Sequence, residues 1–325
     1  MSETAHRTVE TNGIRMHVAE QGEGPLVVLC HGFPESWYSW RHQLRALADA
    51  GFRAVAPDMR GYGRTEAPAE IDRYSMLHLV GDIVGLLDAL GAETAVIAGH
   101  DWGAPVAWHA ALLRPDRFRA VIALSVPYRS RGSVPPTTAM PRTDSTVFYQ
   151  LYFQEPGVAE AELGRDPRVT IRRLLYSGSG DGEGRGAIGA PDAVGMVPRS
   201  GGFLDYTADP VVLPPWLTEA DIDVYAGEFS RTGFRGGLNW YRNVDRNWEL
   251  LAPYAGARVM VPALYVAGDR DLVVKFRGMD QLIPNLSRFV PQLRKTIMLP
   301  GCGHWTQQER PHEVNAAMVE FLRGL

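Results

Sequence analysis

Short apolar runs that alternate with helical segments constrain the fold of this chain more than any other feature. Residues 25–30 (Pro-Leu-Val-Val-Leu-Cys) are apolar throughout, and residues 52–57 and 94–98 are similar short runs. An unbroken apolar run of this length is typical of a strand buried on both faces, as in parallel sheets. Between the second and third runs, residues 75–90 carry apolar side chains at helical spacing. Strands that alternate with helices predict an α/β fold with a mostly parallel, doubly wound sheet.

The alternation is interrupted in the middle of the chain. It ends near Pro127 and resumes at a strand predicted over residues 259–267, and the residues between are rich in Pro, Gly and aromatic side chains with helical patches. We therefore predict two domains, one inserted into the other. Residues 1–127 and 255–325 form the core, and residues 128–254 form a mainly helical cap.

A glycine-rich stretch lies inside the predicted cap. Residues 178–202 contain nine glycines, too many for a packed element, so we predict a mobile loop. No strand precedes the stretch, and it has no GxGxxG or Walker pattern, which argues against a nucleotide cradle. We expect no cofactor.

The composition excludes several classes of protein. With 45% hydrophobic residues, 22% charged residues and a net charge of -4, the chain has no basic footprint for nucleic acid or an anionic membrane. Cys30 and Cys302 lie far apart without CxxC spacing, so neither a disulfide framework nor a metal site is expected. The polar N-terminus and the lack of a membrane-spanning apolar run predict a cytoplasmic protein. A homodimer is left open.

The third predicted strand runs directly into Gly99-His100-Asp101-Trp102-Gly103, the small-x-nucleophile-x-small pattern of a sharp strand-to-helix turn. Such a turn strains its central residue and brings neighbouring segments close together, which favours glycine two positions before and after it. An aspartate that only caps the next helix is the alternative. As a nucleophile, Asp101 would be ionised at neutral pH and suited to attack a saturated carbon, which leaves an alkyl ester on the enzyme.

An ester intermediate requires a base that activates water and donors that stabilise an oxyanion. Asp271 and His304 each follow a predicted strand, and the order nucleophile, acid, histidine places all three in loops beyond the carboxyl ends of the sheet. Asp269 is a rival for the role of the acid. The backbone N–H groups of Phe33 and Trp102 are the predicted oxyanion donors.

Three neighbouring residues have supporting roles in this interpretation. Pro34 fixes the turn after Phe33, and the Phe33–Pro34 bond is a candidate for the cis form. We interpret His31 as a structural hydrogen-bonding residue of its loop and His100 as a residue of the pocket wall.

Six segments carry a resemblance to a known family. They are residues 31–40 (HGFPESWYSW), 58–63 (DMRGYG), 99–103 (GHDWG), 148–154 (FYQLYFQ), 238–243 (LNWYRN) and 303–307 (GHWTQ). Together they closely resemble the soluble epoxide hydrolases of the α/β-hydrolase superfamily, and the resemblance covers nearly the whole chain. It implies an α/β-hydrolase fold and an epoxide hydrolase that needs neither cofactor nor metal.

The two cap segments of the resemblance imply that Tyr149 and Tyr241 point down over Asp101. Their phenols would hydrogen-bond the epoxide oxygen and protonate it as the ring opens. Without the resemblance, tyrosines in such aromatic-rich segments are more simply interpreted as packing residues. Some larger relatives carry an N-terminal phosphatase domain. This chain begins directly at the hydrolase strand region, so we expect no phosphatase activity.

Two alternatives to an epoxide hydrolase are left open. A haloalkane or haloacid dehalogenase uses the same Asp, His and acid, although Phe33 stands where many haloalkane dehalogenases have asparagine. A catalytically silent small-molecule receptor is the alternative outside the enzymes, although no triad member is missing. For the epoxide hydrolase we expect a small apolar epoxide and water as partners, and a pocket wall formed by Phe33, Pro34, Trp102, Phe153 and Trp305.

Overall fold

Ten strands and thirteen α-helices make up the described part of the chain, residues 3–182 and 194–325 of a computed structural model. The strands are β1 (Ala5–Thr11), β2 (Ile14–Gln21), β3 (Leu26–Cys30), β4 (Arg53–Pro57), β5 (Ala95–His100), β6 (Phe118–Leu124), β7 (Thr146–Phe148), β8 (Met196–Pro198), β9 (Ala263–Gly268) and β10 (Leu293–Leu299). The helices are α1 (Arg41–Asp49), α2 (Met76–Ala89), α3 (Gly103–Leu113), α4 (Pro136–Ala139), α5 (Tyr149–Tyr152), α6 (Val158–Leu163), α7 (Pro167–Gly178), α8 (Glu219–Thr232), α9 (Arg235–Arg242), α10 (Val244–Leu250), α11 (Met279–Leu282), α12 (Thr306–Glu309) and α13 (Pro311–Arg323). None of these described helices is both long and apolar enough to cross a lipid bilayer.

Eight strands form one sheet in the order β1-β2-β4-β3-β5-β6-β9-β10. Pairing is parallel from β4 through β3, β5, β6 and β9 to β10. Alternate residues of β3 enter opposite cores: Val27 and Leu29 pack with α1 and α13, whereas Val28 and Cys30 pack with α2 and α3. Because helices cover both faces, the central strands are removed from water on both sides, and this explains their unbroken apolar sequences. The predicted mostly parallel, doubly wound α/β sheet is confirmed.

An N-terminal hairpin extends the sheet at the end opposite β10. β1 and β2 pair antiparallel, with Asn12 and Gly13 at the turn at positive φ angles of 44° and 76°. An Asn-Gly pair accepts such angles readily and is a strong signal for a two-residue hairpin. Most side chains of β1 are exposed at the edge of the sheet, so this strand has no buried apolar run by which to recognise it.

The residues between β6 and β9, called the intervening segment below, contain α4 to α10 and a small antiparallel sheet of β7 and β8. They pack closely on the residues that precede them. A Cβ placed on Gly236 of α9 would lie 2.1 Å from the Gly61 carbonyl oxygen, so only glycine permits this approach. Nearby, the Trp240 indole N–H donates to the Arg60 carbonyl oxygen at 3.1 Å.

The glycine-rich stretch at 178–202 lies partly outside the described residues, because the structure does not describe residues 183–193. Its described ends belong to regular elements: α7 ends at Gly178, and β8 follows at the other end. Gly180 is buried, and a Cβ on it would lie 2.1 Å from the Gly301 carbonyl oxygen. The prediction that so much glycine excludes packed elements is therefore wrong at these ends, where glycine permits close backbone contact instead.

Candidate active site

Asp101 lies at the sharp turn between β5 and α3, and its backbone is strained. Its φ of 49° falls in the left-handed region, which residues other than glycine rarely adopt. Space explains the flanking glycines: a Cβ on Gly99 would lie 2.0 Å from the Gly103 carbonyl oxygen, and one on Gly103 would lie 2.0 Å from that of Cys30. The close approach inferred from the pentapeptide is therefore present, and the turn leaves the Asp101 side chain beyond the end of β5.

The Asp101 carboxylate has a polar neighbour on each oxygen. The Phe33 N–H donates to Oδ1 at 2.8 Å, and His304 Nε2 lies 3.3 Å from Oδ2. The absence of a side chain on Gly32 makes room, because a Cβ there would lie 2.3 Å from Oδ1. The carboxylate does not cap α3, which begins without a side-chain cap. The Trp102 N–H, the other predicted oxyanion donor, makes no hydrogen bond to Asp101 in the described structure.

Asp271 holds the other side of the histidine. Its Oδ1 lies 2.9 Å from His304 Nδ1 and accepts the Val273 N–H at 2.9 Å, and the side chain is fully buried. Asp269, the rival acid, is exposed and accepts the Gly301 N–H at 2.8 Å. The geometry therefore selects Asp271 as the partner of His304.

Burial and charge act in opposite directions on this pair. Burial by itself lowers the pKa of His304, but the carboxylates of Asp271 and Asp101 outweigh it and raise that pKa to about 10. Burial raises the pKa of Asp271, yet the facing imidazole and the hydrogen bonds bring it below its ordinary value. Near neutral pH the protein therefore holds an imidazolium between two carboxylates.

A mostly apolar cavity of about 390 Å³ opens at Asp101 and His304. Tyr149 of α5 and Tyr241 of α9 line it from the intervening segment, with their ring centroids 5.9 Å apart. Burial, and after it the charge of Asp101, raises the pKa of Tyr241 well above its ordinary value, so this phenol keeps its proton at neutral pH. The structure thus brings the predicted carboxylate, imidazole and two phenols to one cavity.

Four of the five predicted wall residues line the cavity, namely Phe33, Pro34, Phe153 and Trp305, and the Phe33–Pro34 bond is cis. Trp102 does not line it, which corrects the prediction. Its indole ring instead makes an edge-to-face contact with the Tyr241 ring, with the centroids 5.1 Å apart.

His100 is also not a wall residue, because its side chain is fully buried and does not reach the cavity. Nε2 lies 2.7 Å from the His304 carbonyl oxygen, which can only accept, so this nitrogen carries a proton. Nδ1 lies 2.8 Å from Glu35 Oε2. Burial raises the pKa of Glu35, but His100 and the hydrogen bonds outweigh it and bring it to about 2. The buried contact between His100 and Glu35 therefore supports the backbone at His304.

His31 has the structural role expected of it. Its Nδ1 donates to the Gly32 carbonyl oxygen at 2.9 Å, and its Nε2 accepts the Met59 N–H at 2.9 Å. One nitrogen donates and the other accepts, which is the pattern of a neutral imidazole that holds two loops together. Glu35, three positions after Gly32, was not singled out from the sequence, although an acidic residue in so apolar a loop is a usable signal.

Glu309 of α12 is a further residue that the sequence pattern did not reveal. Its carboxylate accepts the backbone N–H groups of Gly180, Gly303 and Trp305 at 2.8–3.0 Å. The His304 N–H donates in turn to the carbonyl oxygen at the end of α7, at 2.8 Å. The loop of residues 300–305, between β10 and α12 and called the histidine loop below, is thus held both by α12 and by the intervening segment. Two of the three donors are loop glycines, which give no sequence signal of such a contact.

The sheet, the strained turn at Asp101 and the histidine–acid pair define the class of α/β hydrolases. In agreement, a family model described as the alpha/beta hydrolase fold matches residues 25–181. Epoxide hydrolase A of Mycobacterium tuberculosis is 49% identical over 328 residues, which cover 100% of this chain and 99% of that protein. The chain belongs to the epoxide hydrolase family of the α/β hydrolases.

Structural similarity extends over the same length. The crystal structure of epoxide hydrolase A from Mycobacterium thermoresistibile matches with a TM-score of 0.91 at 49% identity and covers 99% of each chain. Bifunctional epoxide hydrolase 2 of Mus musculus is 42% identical over 96% of this chain but only 54% of that protein. These relatives confirm the prediction of an epoxide hydrolase over the dehalogenase and the silent receptor.

Proposed function

We propose that this epoxide hydrolase converts an apolar epoxide to a vicinal diol through an alkyl ester on Asp101. A carboxylate oxygen of Asp101 attacks a ring carbon, and the bond from that carbon to the epoxide oxygen breaks. Tyr149 and Tyr241 hydrogen-bond the epoxide oxygen, and one phenol gives its proton to the developing alkoxide. The arrangement of both phenols and the carboxylate around one apolar cavity is the observation that carries this proposal.

In the second half-reaction His304 activates a water molecule that attacks the ester. Ester formation removes the negative charge of Asp101, one of the two carboxylates that raise the pKa of His304, and so favours the neutral imidazole that a base requires. Asp271, at 2.9 Å from Nδ1, orients the ring so that Nε2 accepts the proton of water. The N–H groups of Phe33 and Trp102 stabilise the oxyanion, and that of Phe33 already contacts Asp101.

Replacement of the base tests this scheme. His304→Gln should stop ester hydrolysis while alkylation continues, so intact-protein mass spectrometry with a reactive epoxide should show one adduct per chain, mapping to Asp101. His312→Gln, at an exposed histidine, is the matched control and should turn over without accumulating an adduct. A His304→Gln protein that stays unmodified under saturating epoxide would contradict the alkyl-ester mechanism.

The same measurement distinguishes the two phenols from packing residues. In a His304→Gln background, Tyr149→Phe/Tyr241→Phe should slow formation of the adduct by a factor of about 100 or more, because the alkoxide loses its proton donors. Adduct formation at the rate of the parent would remove the tyrosines from the mechanism.

Three coarser predictions accompany this mechanism as proposals. Residues 128–254 act as a cap on the core of residues 1–127 and 255–325, since the cavity has walls from both sides. The buried, unpaired thiols of Cys30 and Cys302 support a reducing, cytoplasmic location. The formation of a homodimer stays a prediction.

A further inference from the structure

Ser125, the first residue after β6, has an unusual backbone. Its φ is 70°, in the left-handed region, and the residue is fully buried. Its N–H donates to the Val266 carbonyl oxygen at 2.9 Å, and its own carbonyl oxygen accepts the Tyr265 hydroxyl at 2.7 Å. Strain of this kind in a residue other than glycine persists where the surrounding structure imposes it, and it concentrates at functional sites.

The Ser125 hydroxyl contacts the histidine of the histidine–acid pair. Its Oγ lies 3.1 Å from His304 Nδ1, and the hydroxyl is among the groups that lower the pKa of the Asp271 carboxyl. The same Nδ1 lies 2.9 Å from Asp271 Oδ1. A hydroxyl oxygen can accept a hydrogen bond, so Oγ can accept a share of the Nδ1–H. His304 Nδ1 then has two acceptors, Asp271 Oδ1 and Ser125 Oγ.

We propose that Ser125 is a positioning residue that orients His304 for the hydrolysis of the alkyl ester. The inference rests on the proposed function, because it assigns a helper to one of its two half-reactions. Two acceptors on the Nδ1 edge restrict rotation of the ring more than Asp271 does alone, and they keep Nε2 directed at the side chain of Asp101. Alkylation does not use His304 as a base, so Ser125 affects only the second half-reaction.

Two substitutions separate the hydroxyl from the backbone. Ser125→Ala and Ser125→Gly both remove the hydroxyl, but only glycine also relieves the strain of the positive φ. Ser39→Ala is the matched control, since Ser39 is equally buried and its hydroxyl donates to the Ser36 carbonyl oxygen at 2.9 Å, away from the cavity. Rapid-quench mass spectrometry with a reactive epoxide measures formation and decay of the adduct in each variant.

We expect both Ser125 variants to form the adduct within about twofold of the parental rate and to hydrolyse it about tenfold more slowly. Loss of an acceptor on Nδ1 destabilises the protonated imidazole and so lowers the pKa of His304. The acid limb of the pH profile of hydrolysis should therefore also move to lower pH. The melting temperature of Ser125→Gly should not fall below that of Ser125→Ala. Ser39→Ala should leave both half-reactions at the rates of the parent.

Three results would overturn the role of Ser125. They are hydrolysis at the parental rate in both variants, an equal loss in both half-reactions, and a slow Ser125→Ala beside a fully active Ser125→Gly, which would trace the effect to the backbone alone. Failure of the proposed function is distinguishable from all three. In that case the parent itself, and not only the variants, would form no adduct.

Discussion

Asp101 and Ser125 show how much of the site is decided at single residues. Within residues 3–182 and 194–325, only three residues other than glycine have a positive φ, and the third is the turn residue Asn12. The side chains of Asp101 and Ser125 approach His304 from opposite ring nitrogens, at 3.3 and 3.1 Å. Among the described non-glycine residues, positive φ away from the hairpin turn therefore occurs only where the side chain contacts this imidazole, as expected where function imposes an unfavourable conformation.

The charge on His304 should make the stability of the protein fall at alkaline pH. Its pKa is about 10 in the fold against an ordinary 6.5, so the imidazolium stabilises the fold fully below 6.5, and this contribution is lost as pH rises through 10. Thermal unfolding between about pH 7 and about pH 10 should show a fall in Tm that is steeper in the parent than in His304→Gln. His312→Gln should keep the slope of the parent, and equal slopes in the parent and His304→Gln would contradict the expectation.

At the scale of elements, the histidine loop depends both on the adjacent helix α12 and on parts of the chain that are distant in sequence. α12 supplies the Glu309 carboxylate, α7 supplies the carbonyl oxygen that accepts the His304 N–H, and the end of β5 supplies His100 beneath the same backbone. The short described piece of the glycine-rich stretch around Gly180 joins the same network. The position of the base is thus coupled to the packing of the intervening segment.

Glu309→Gln should destabilise the fold and slow ester hydrolysis together. An amide oxygen can replace part of the carboxylate, but its NH2 group would face a backbone N–H, so at least one buried donor would lose its acceptor. We expect the free energy of unfolding, measured in urea, to fall by about 1–3 kcal/mol. Glu313→Gln, an exposed position on α13, makes the same change of charge and should have little effect. If the two variants unfold at the same urea concentration, the hydrogen bonds to the Glu309 carboxylate do not stabilise the fold.

At the scale of the whole molecule, the cavity exists because the intervening segment packs against loops of the sheet. Tyr149 and Tyr241 come from that segment, whereas Asp101 and His304 come from loops after strands of the sheet. Gly236 packs directly on the backbone of Gly61. This contact holds α9, and with it Tyr241, against the residues that precede the intervening segment. The net charge of -4 provides no strong field for steering, which agrees with the apolar epoxide proposed as the substrate.

Gly236→Ala should disturb this packing and Gly227→Ala should not. A Cβ at Gly236 would lie 2.1 Å from the Gly61 carbonyl oxygen, whereas one at Gly227, in α8, meets no atom within 4 Å. We expect Gly236→Ala to lower the free energy of unfolding by about 1–3 kcal/mol through overpacking. Gly227→Ala should raise it by up to about 1 kcal/mol through helix propensity. Urea titration of both variants measures the difference. Equal stabilities would show that the backbone at Gly236 and Gly61 can move apart without a loss in the free energy of unfolding.

Much of the architecture and the chemistry could be predicted because the signals are local. Runs such as residues 25–30 are apolar for their whole length only when both faces of a strand are buried. The glycines on either side of Asp101 are a local signal, because their own backbone makes the close contacts that exclude a side chain. The positions of Asp271 and His304 after strands are a second signal, because the carboxyl ends of parallel strands lie at one edge of the sheet. The strand β1 was missed because it is exposed and carries no buried run.

The remaining features required the fold, since they are contacts between residues far apart in the chain. His100 lies 204 positions from the His304 carbonyl that it supports, and Ser125 lies 179 positions from His304. Neighbouring residues give no signal that Asp271 and not Asp269 contacts His304. They also give no signal that Trp102 lies outside the cavity wall. By itself the sequence determined the class of fold and singled out the side chains proposed to react, because neighbouring residues alone signal burial and tight turns. Only the tertiary structure decided which groups support the histidine, because those hydrogen bonds form where distant segments meet.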